Sequence, residues 1–156
     1  MIMKFNIFTI SNKMKSWEES GINFYQKQLA HNHCINFHNL KIKHARNSRK
    51  EDIIKKESDI IMKSTHNLSN SIVWERSGKP ISSLGLAKVF NDFEQYTNSI
   101  DLIIGGAYGL SSEIITTSNY VFSASKLTFP HKLFKIVLCE QIYRACKINT
   151  NHPYHK

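Results

Sequence analysis

An α/β fold with a mostly parallel sheet flanked by helices is what this sequence predicts, on three observations. Strand-like and helix-like stretches alternate from one end of the chain to the other, the pattern of successive βα units. The most apolar stretch, Ile100–Gly106 "IDLIIGG", lacks the alternation of a half-exposed strand, so it reads as a strand covered on both faces. No internal repeat or shift in composition divides the 156 residues, a length that suits one domain, residues 1–156, with a full core.

Lys4–Ile10 "KFNIFTI" alternates and then becomes denser in apolar residues, which predicts the first strand. Ser16 is fit to cap a helix that carries Trp17, Phe24 and Leu29 on roughly one face. Cys34–Ile42 alternates again and reads as a strand, followed by a solvated cationic loop over Lys41–Lys50. From Glu51 to His66 the residues Ile53, Ile54, Glu57, Ile60 and Ile61 recur at helical steps. Asn70–Glu75 "NSIVWE" is a short strand, which Ser77–Pro80 "SGKP" is expected to break. Ser82 or Ser83 caps the next helix, with Leu86, Val89, Phe90 and Phe93 facing inward. After the Ile100–Gly106 strand come a short helix from about Ser112 and a strand Tyr120–Ser125. Pro130 suits the first turn of a last helix, His131–Ile148, which is apolar nearly all round and therefore largely buried. Phe134, Leu138 and Tyr143 are more apolar surface than one core uses, which predicts a homodimer.

Composition narrows the function. With 41% hydrophobic and 21% charged residues, the chain is an ordinary globular protein and not a disordered one. The net charge of +9 favours a polyanion, nucleic acid first, although heavy use of Lys, Asn and Ile throughout would raise it too. No apolar run approaches the roughly 18 residues of a membrane span, so no membrane partner is expected. The start "MIMKFNIFTISNK" has no small-residue cleavage site, and the three cysteines Cys34, Cys139 and Cys146 form no Cys-x-x-Cys. Both features fit reduced thiols in the cytoplasm. His31 and His33 share a face of an extended chain, but Cys34 points away and no carboxylate joins them, so no metal site is expected.

The glycines of Leu102–Glu113 "LIIGGAYGLSSE" pose the functional question. A dinucleotide loop needs Gly-x-Gly-x-x-Gly and an acid about twenty residues on. Here the order is Gly105-Gly106-x-x-Gly109 and Glu113 comes too early. A Walker loop needs Gly-Lys-Ser/Thr, which is absent. Gly105 and Gly106 instead end a buried strand at its carboxyl edge, where open α/β sheets bind ligands, and bare backbone there admits a flat ligand. A tight strand-to-helix turn is the plainer alternative.

Several motifs taken together resemble one family. "IGGAYGL" (Ile104–Leu110), "SKLTFPH" (Ser125–His131), "EQIYRA" (Glu140–Ala145) and the ending "HPYHK" (His152–Lys156) are similar to those of the ribosomal RNA large subunit methyltransferase H group of the SPOUT class. The resemblance spans essentially the whole chain, is densest in the last third, and aligns the family's start with Met3. It implies a SPOUT fold with a C-terminal trefoil knot, a homodimer, and S-adenosylmethionine (SAM) bound in the knot. The implied reaction is methylation of N3 of pseudouridine-1915 of 23S ribosomal RNA in the assembled ribosome. A knotted RNA-binding protein without catalysis, or a SPOUT enzyme acting on tRNA, are the alternatives; the chain has no room for the appended RNA-binding domain usual in the latter.

If the family's pocket transfers, SAM contacts Trp74, then Gly105 and Gly106, then the run Ala124, Ser125, Lys126, Leu127, Thr128 and Phe129. Valine at Gly105 would then fill the pocket while the fold persists. Trp74 departs from relatives, which usually carry a smaller aliphatic residue there, and Ser11 stands where they often have glycine. The acceptor N3–H must lose a proton, and the candidates for that chemistry are His131, Glu140, Arg144, Tyr154 and His155. Glu140 and Arg144, four apart, also suit a plain helix ion pair. Tyr154 and His155 suit stacking on and bonding to an unpaired base. Lys41, Lys43, Arg46, Arg49 and Lys50 form the densest cationic run and are expected to contact RNA phosphates.

Overall fold

The computed structural model describes residues 1–156 as one five-stranded sheet with helices on both faces. In chain order the elements are β1 (Met3–Ile10), α1 (Ser16–Gln28), β2 (His33–Leu40), α2 (Lys50–Ser64), β3 (Ser71–Pro80), α3 (Ser83–Glu94), β4 (Ser99–Ile104), α4 (Ser112–Thr117), β5 (Tyr120–Ser123) and α5 (His131–Asn149). The strand order is β2-β1-β4-β3-β5 and every pairing is parallel. All five strands therefore end at the same edge, and β4 lies in the centre of the sheet.

Period-two alternation sorts the strand residues between two layers. On one face Phe5, Ile7, Ile100, Leu102 and Ile104 join Ile22 of α1, Phe90 and Phe93 of α3, and Leu138, Cys139 and Ile142 of α5. On the other face Val73 and Ile103 meet Ile61 of α2 and Ile114 of α4. Complete burial of Phe5, Phe90 and Phe93 stabilises the larger layer by about 1.5–3 kcal/mol each. Asp101, also on the smaller face, is buried but paired: Oδ1 accepts from Asn6 Nδ2 (3.0 Å) and Oδ2 from the His66 amide (2.8 Å). Cys139 and Cys146, seven apart, both face the core, and burial pushes each thiol up to about 12, so neither is a nucleophile at neutral pH.

The fold class is as the alternation predicts, but several local expectations are corrected. The "SGKP" stretch does not end β3. The strand pairs with β5 at Ile72–Trp74, shifts register, and pairs again at Lys79 and Pro80. An irregularity absorbs the intervening residues, and Pro80 is tolerated because it is the strand's last residue. β2 ends at Leu40, α2 at Ser64 and β5 at Ser123, each short of its expected limit. Lys15, not Ser16, is the cap of α1, because its amide donates to Glu18 Oε1 at 3.0 Å. Trp17 and Phe24 are 49% and 57% exposed; α1 instead buries Ile22 and Glu18. Leu138 and Tyr143 are consumed by the chain's own core, so the apolar excess lies at Trp17, Phe24 and Leu133.

Candidate functional site

Parallel strands leave their last residues and following loops along one edge, and a cleft of ≈410 Å³ opens there. Three loops build it. Trp74, Glu75 and Arg76 come from the irregularity in β3; Ile104 to Gly109 leave β4; Ser123, Ala124, Ser125, Leu127, Thr128 and Phe129 leave β5. Lys50, His131 and Phe134 complete the lining from the first turns of α2 and α5. A volume in this range, with apolar walls and a few polar groups, suits a small-molecule ligand.

The β4 loop is held by packing as well as by conformation. Gly109 has φ +85°, the left-handed region that glycine enters without strain. The Gly106 carbonyl accepts from the Gly109 amide at 3.1 Å and closes the turn. A Cβ placed on Gly106 would fall inside the Glu57 carboxylate of α2, and one on Gly105 would lie 2.8 Å from Leu110 Cγ. Bareness at these two positions is thus required by neighbouring protein atoms. That corrects the expectation for valine at Gly105: the side chain would strike Leu110 and displace the loop rather than simply fill the cleft. Glu57 is itself fixed by His44 Nε2 at 2.9 Å, and Ser58 beside it accepts from the Ser111 amide at 3.0 Å. Helix α2 therefore clamps the loop from behind.

The expected ligand contacts mostly converge. Trp74, Gly105, Gly106, Ala124, Ser125, Leu127, Thr128 and Phe129 all line the cleft, and Lys126 does not. Leu127 is 73% exposed, an apolar wall with nothing on it, while Phe129 stacks on Phe134 at 6.5 Å. Trp74 is almost fully buried, yet its indole Nε1 has no hydrogen-bond partner. Glu75, Arg76 and Tyr108 are lining residues that the sequence reading missed, although each lies within two positions of a named one.

The five candidates for proton chemistry separate. His131 lines the cleft. Burial holds its pKa below the ordinary 6.5, the Lys135 charge adds to that, and Glu57 opposes it. Glu140, Arg144, Tyr154 and His155 do not line the cleft; they form a second cluster along α5. Glu140 accepts from Arg144 Nε (2.8 Å) and from the Tyr154 hydroxyl (3.1 Å). The Arg144 guanidinium lies 4.8 Å from the centre of the Tyr154 ring, and that ring meets Tyr143 edge-on at 4.7 Å. Burial first, then the bond to Glu140, raises the Tyr154 pKa, so the phenol stays a donor. Arg144 Nη1 approaches His155 Nδ1 at 3.3 Å. An arginine only donates, so Nδ1 accepts and, in the neutral ring, Nε2 carries the proton. At 1.5 Å per residue, Arg144 stands about 20 Å along α5 from His131. The tail is docked on α5, and the five candidates fall in two separate places.

The cationic run is split as well. Lys41, Lys43, Arg46 and Arg49 are exposed on the β2–α2 loop. Lys50 opens α2 and reaches over the Tyr108 ring at 6.0 Å, at the cleft. Arg49 is engaged with Asp52 at 2.9 Å. Among the histidines, His33 Nε2 pairs with Glu94 at 3.4 Å. No helix is long and apolar enough to cross a membrane.

Comparison with known proteins identifies the family. The family model described as "Predicted SPOUT methyltransferase" matches residues 3–155. A Legionella pneumophila (strain Paris) protein named ribosomal RNA large subunit methyltransferase H is 38% identical, covering 99% of this chain and 100% of its own. A Coxiella burnetii protein of the same name is 32% identical over 99% and 100%. Among solved structures, a probable methylase family protein from Haemophilus influenzae superposes with TM-score 0.53 at 12% identity, over 100% of this chain and 72% of that one, a likeness of fold alone.

Proposed function

This chain belongs to the SPOUT methyltransferase family, and on that premise we propose that it transfers the methyl group of SAM to N3 of a pseudouridine in 23S ribosomal RNA within the assembled ribosome. The observation that carries the reading is the cleft at the carboxyl edge of β3, β4 and β5, whose walls coincide with the residues named for SAM. The names of the relatives support a ribosomal RNA substrate. The residues present fit the donor. The orphaned Trp74 N–H and the bare Leu127 suit a nucleoside, and Lys50, Glu75 and Arg76 suit the carboxylate and ammonium of an amino acid. The trefoil knot belongs to the family reading, with α5 packed against α1 and α3 on the larger core face. One domain, a cytoplasmic location and the absence of a metal belong to the same reading.

SAM supplies a methyl already activated on a sulfonium. The chain's own task is to orient the acceptor and remove its proton, since a neutral imide nitrogen is a poor nucleophile. His131 is the group in reach of the cleft that is neutral at pH 7. It would take the N3 proton as the nitrogen accepts the methyl group of a bound donor. His155, with Nδ1 occupied, is arranged to donate from Nε2 to a base carbonyl, and Tyr154 to stack on the base. Because these two stand apart from their own chain's cleft, the tail acts on the cleft of a second copy in a homodimer. Exposed Trp17 and Phe24 of α1 and Leu133 of α5 support such an interface. The exposed lysines and arginines at 41–49 contact RNA phosphates from the rim.

Transfer of labelled methyl from SAM to ribosomes tests the reading. A lowered pKa means that His131 is the free base at pH 7 and becomes protonated only on acidification below 6.5. The rate constant is therefore expected to hold through neutrality and to fall along an acidic limb below that value. His131→Asn is expected to lose about 10²-fold or more in rate and to lose the limb with it. A variant that keeps both the parental rate and the limb would remove His131 from the reaction.

A further inference from the structure

Trp74 borders two cavities. A second pocket of ≈280 Å³ adjoins it, lined also by Ile81, Leu86, Val137 and Gln141. The cleft and this pocket share Trp74, Ala124, Ser125, Phe129 and Phe134. The indole is held between Phe122, at 6.3 Å, and Phe134, which it meets edge-on at 5.8 Å. It is 8% exposed, and its Nε1 is buried without a partner. A buried donor left unpaired is destabilising, so a ligand acceptor is the natural complement. Charge differs between the two spaces: Lys50, Glu75 and Arg76 line the cleft, and no charged side chain lines the second pocket. A flat, uncharged ring therefore belongs on the Trp74 side, and the charged end of a ligand on the other.

We propose that Trp74 is a specificity-determining residue, the wall that closes the adenine end of the cleft. Its N–H donates to the nucleoside, and its ring bars the second pocket to any group carried beyond the base. The inference rests on the reading that the cleft takes SAM. A smaller aliphatic residue in its place would join the two cavities into one continuous space. The protein as it stands accepts an unsubstituted adenosyl group and rejects one enlarged at N6.

Calorimetric titration of the full chain with S-adenosylhomocysteine and with its N6-benzyl derivative tests this. The parent is expected to bind the unsubstituted ligand at least tenfold more tightly than the enlarged one. Trp74→Leu removes the wall and is expected to bind the N6-benzyl ligand at least tenfold more tightly than the parent does. Trp74→Phe keeps a ring but loses the N–H; it is expected to weaken S-adenosylhomocysteine about fivefold, the equivalent of one hydrogen bond, while still rejecting the enlarged ligand. Should Trp74→Leu fail to fold, the parent's discrimination and the Phe variant decide. A parent that binds both ligands equally overturns the inference. So does a folded Leu variant that binds S-adenosylhomocysteine but gains nothing for the benzyl derivative, or a Phe variant indistinguishable from the parent. A parent that binds neither ligand overturns the SAM reading, and this inference with it.

Discussion

Removing residues 151–156 is expected to slow methyl transfer to ribosomes by about 10²–10⁴-fold while leaving S-adenosylhomocysteine affinity nearly unchanged, because the loss falls on stacking and orientation of the acceptor base. None of the six residues lines the cleft, so the donor's own contacts survive. Stability is expected to fall only modestly, by about 1–2 kcal/mol, since the tail's side chains contribute an edge-on contact with Tyr143, a hydrogen bond to Glu140 and two contacts with partly exposed Arg144. The separation of about 20 Å along α5 makes the prediction sharper. If the tail serves the cleft of a partner, mixing the truncated protein with His131→Asn should recover part of the rate, because mixed dimers hold one intact cleft facing one intact tail. A truncated protein that works at the parental rate would dismiss the tail, and mixtures with no recovery would dismiss its action across the dimer.

Lys135→Met is expected to be the most destabilising single change outside the apolar core, by about 3–5 kcal/mol in chemical denaturation. Lys135 is 1% exposed in the middle of the packed face of α5. Its Nζ donates to Ser11 Oγ at 3.0 Å and meets Glu18 Oε2 at 3.4 Å. Glu18 is equally buried, and beyond Lys135 it has only the Lys15 amide and half-exposed Lys132, at 3.9 Å, to offset its charge. Methionine would fill the space and leave the carboxylate buried without its main partner. The double variant Glu18→Gln, Lys135→Met removes both charges and should recover most of the loss. Equal stability of the single variant and the parent would mean that Lys132 or water replaces the pairing.

That ion pair also marks where the sequence stops being legible. Strand and helix order was readable because β4 is a continuous apolar run and the helices around it carry helical periodicity; the fold then divides Ile100, Leu102 and Ile104 from Ile103 between two layers. Glu18 and Lys135 look like surface charges until their meeting across 117 positions is known. Trp17 and Phe24, seven apart, imitate a core stripe but belong to the exposed side of α1. The cleft was legible through motifs, although residue 74, at the irregularity inside β3, and residues 105 and 124–129, just after β4 and β5, come together only in the folded sheet. What the glycines do was half legible: an approach to Gly106 was foreseen, but the close neighbour is Glu57, from a helix that no local pattern links to the loop. The division of the five candidates into two clusters was half legible: a helix over His131–Ile148 already sets a length scale, but the docking of the tail back onto Glu140 and Arg144 has no local signal. Only the rise of α5 separates His131 from Arg144.

Mass mapping of 23S ribosomal RNA is the most direct test of the central claim. Ribosomes from a strain lacking this gene would be incubated with the purified protein and SAM, and the RNA digested and compared with an untreated control. The account predicts that one fragment, containing a pseudouridine, gains the mass of a single methyl group, and that the gain requires SAM and is lost in His131→Asn. Ribosomal RNA unchanged in mass under conditions where the protein binds SAM, or methylation found on tRNA instead, would contradict it.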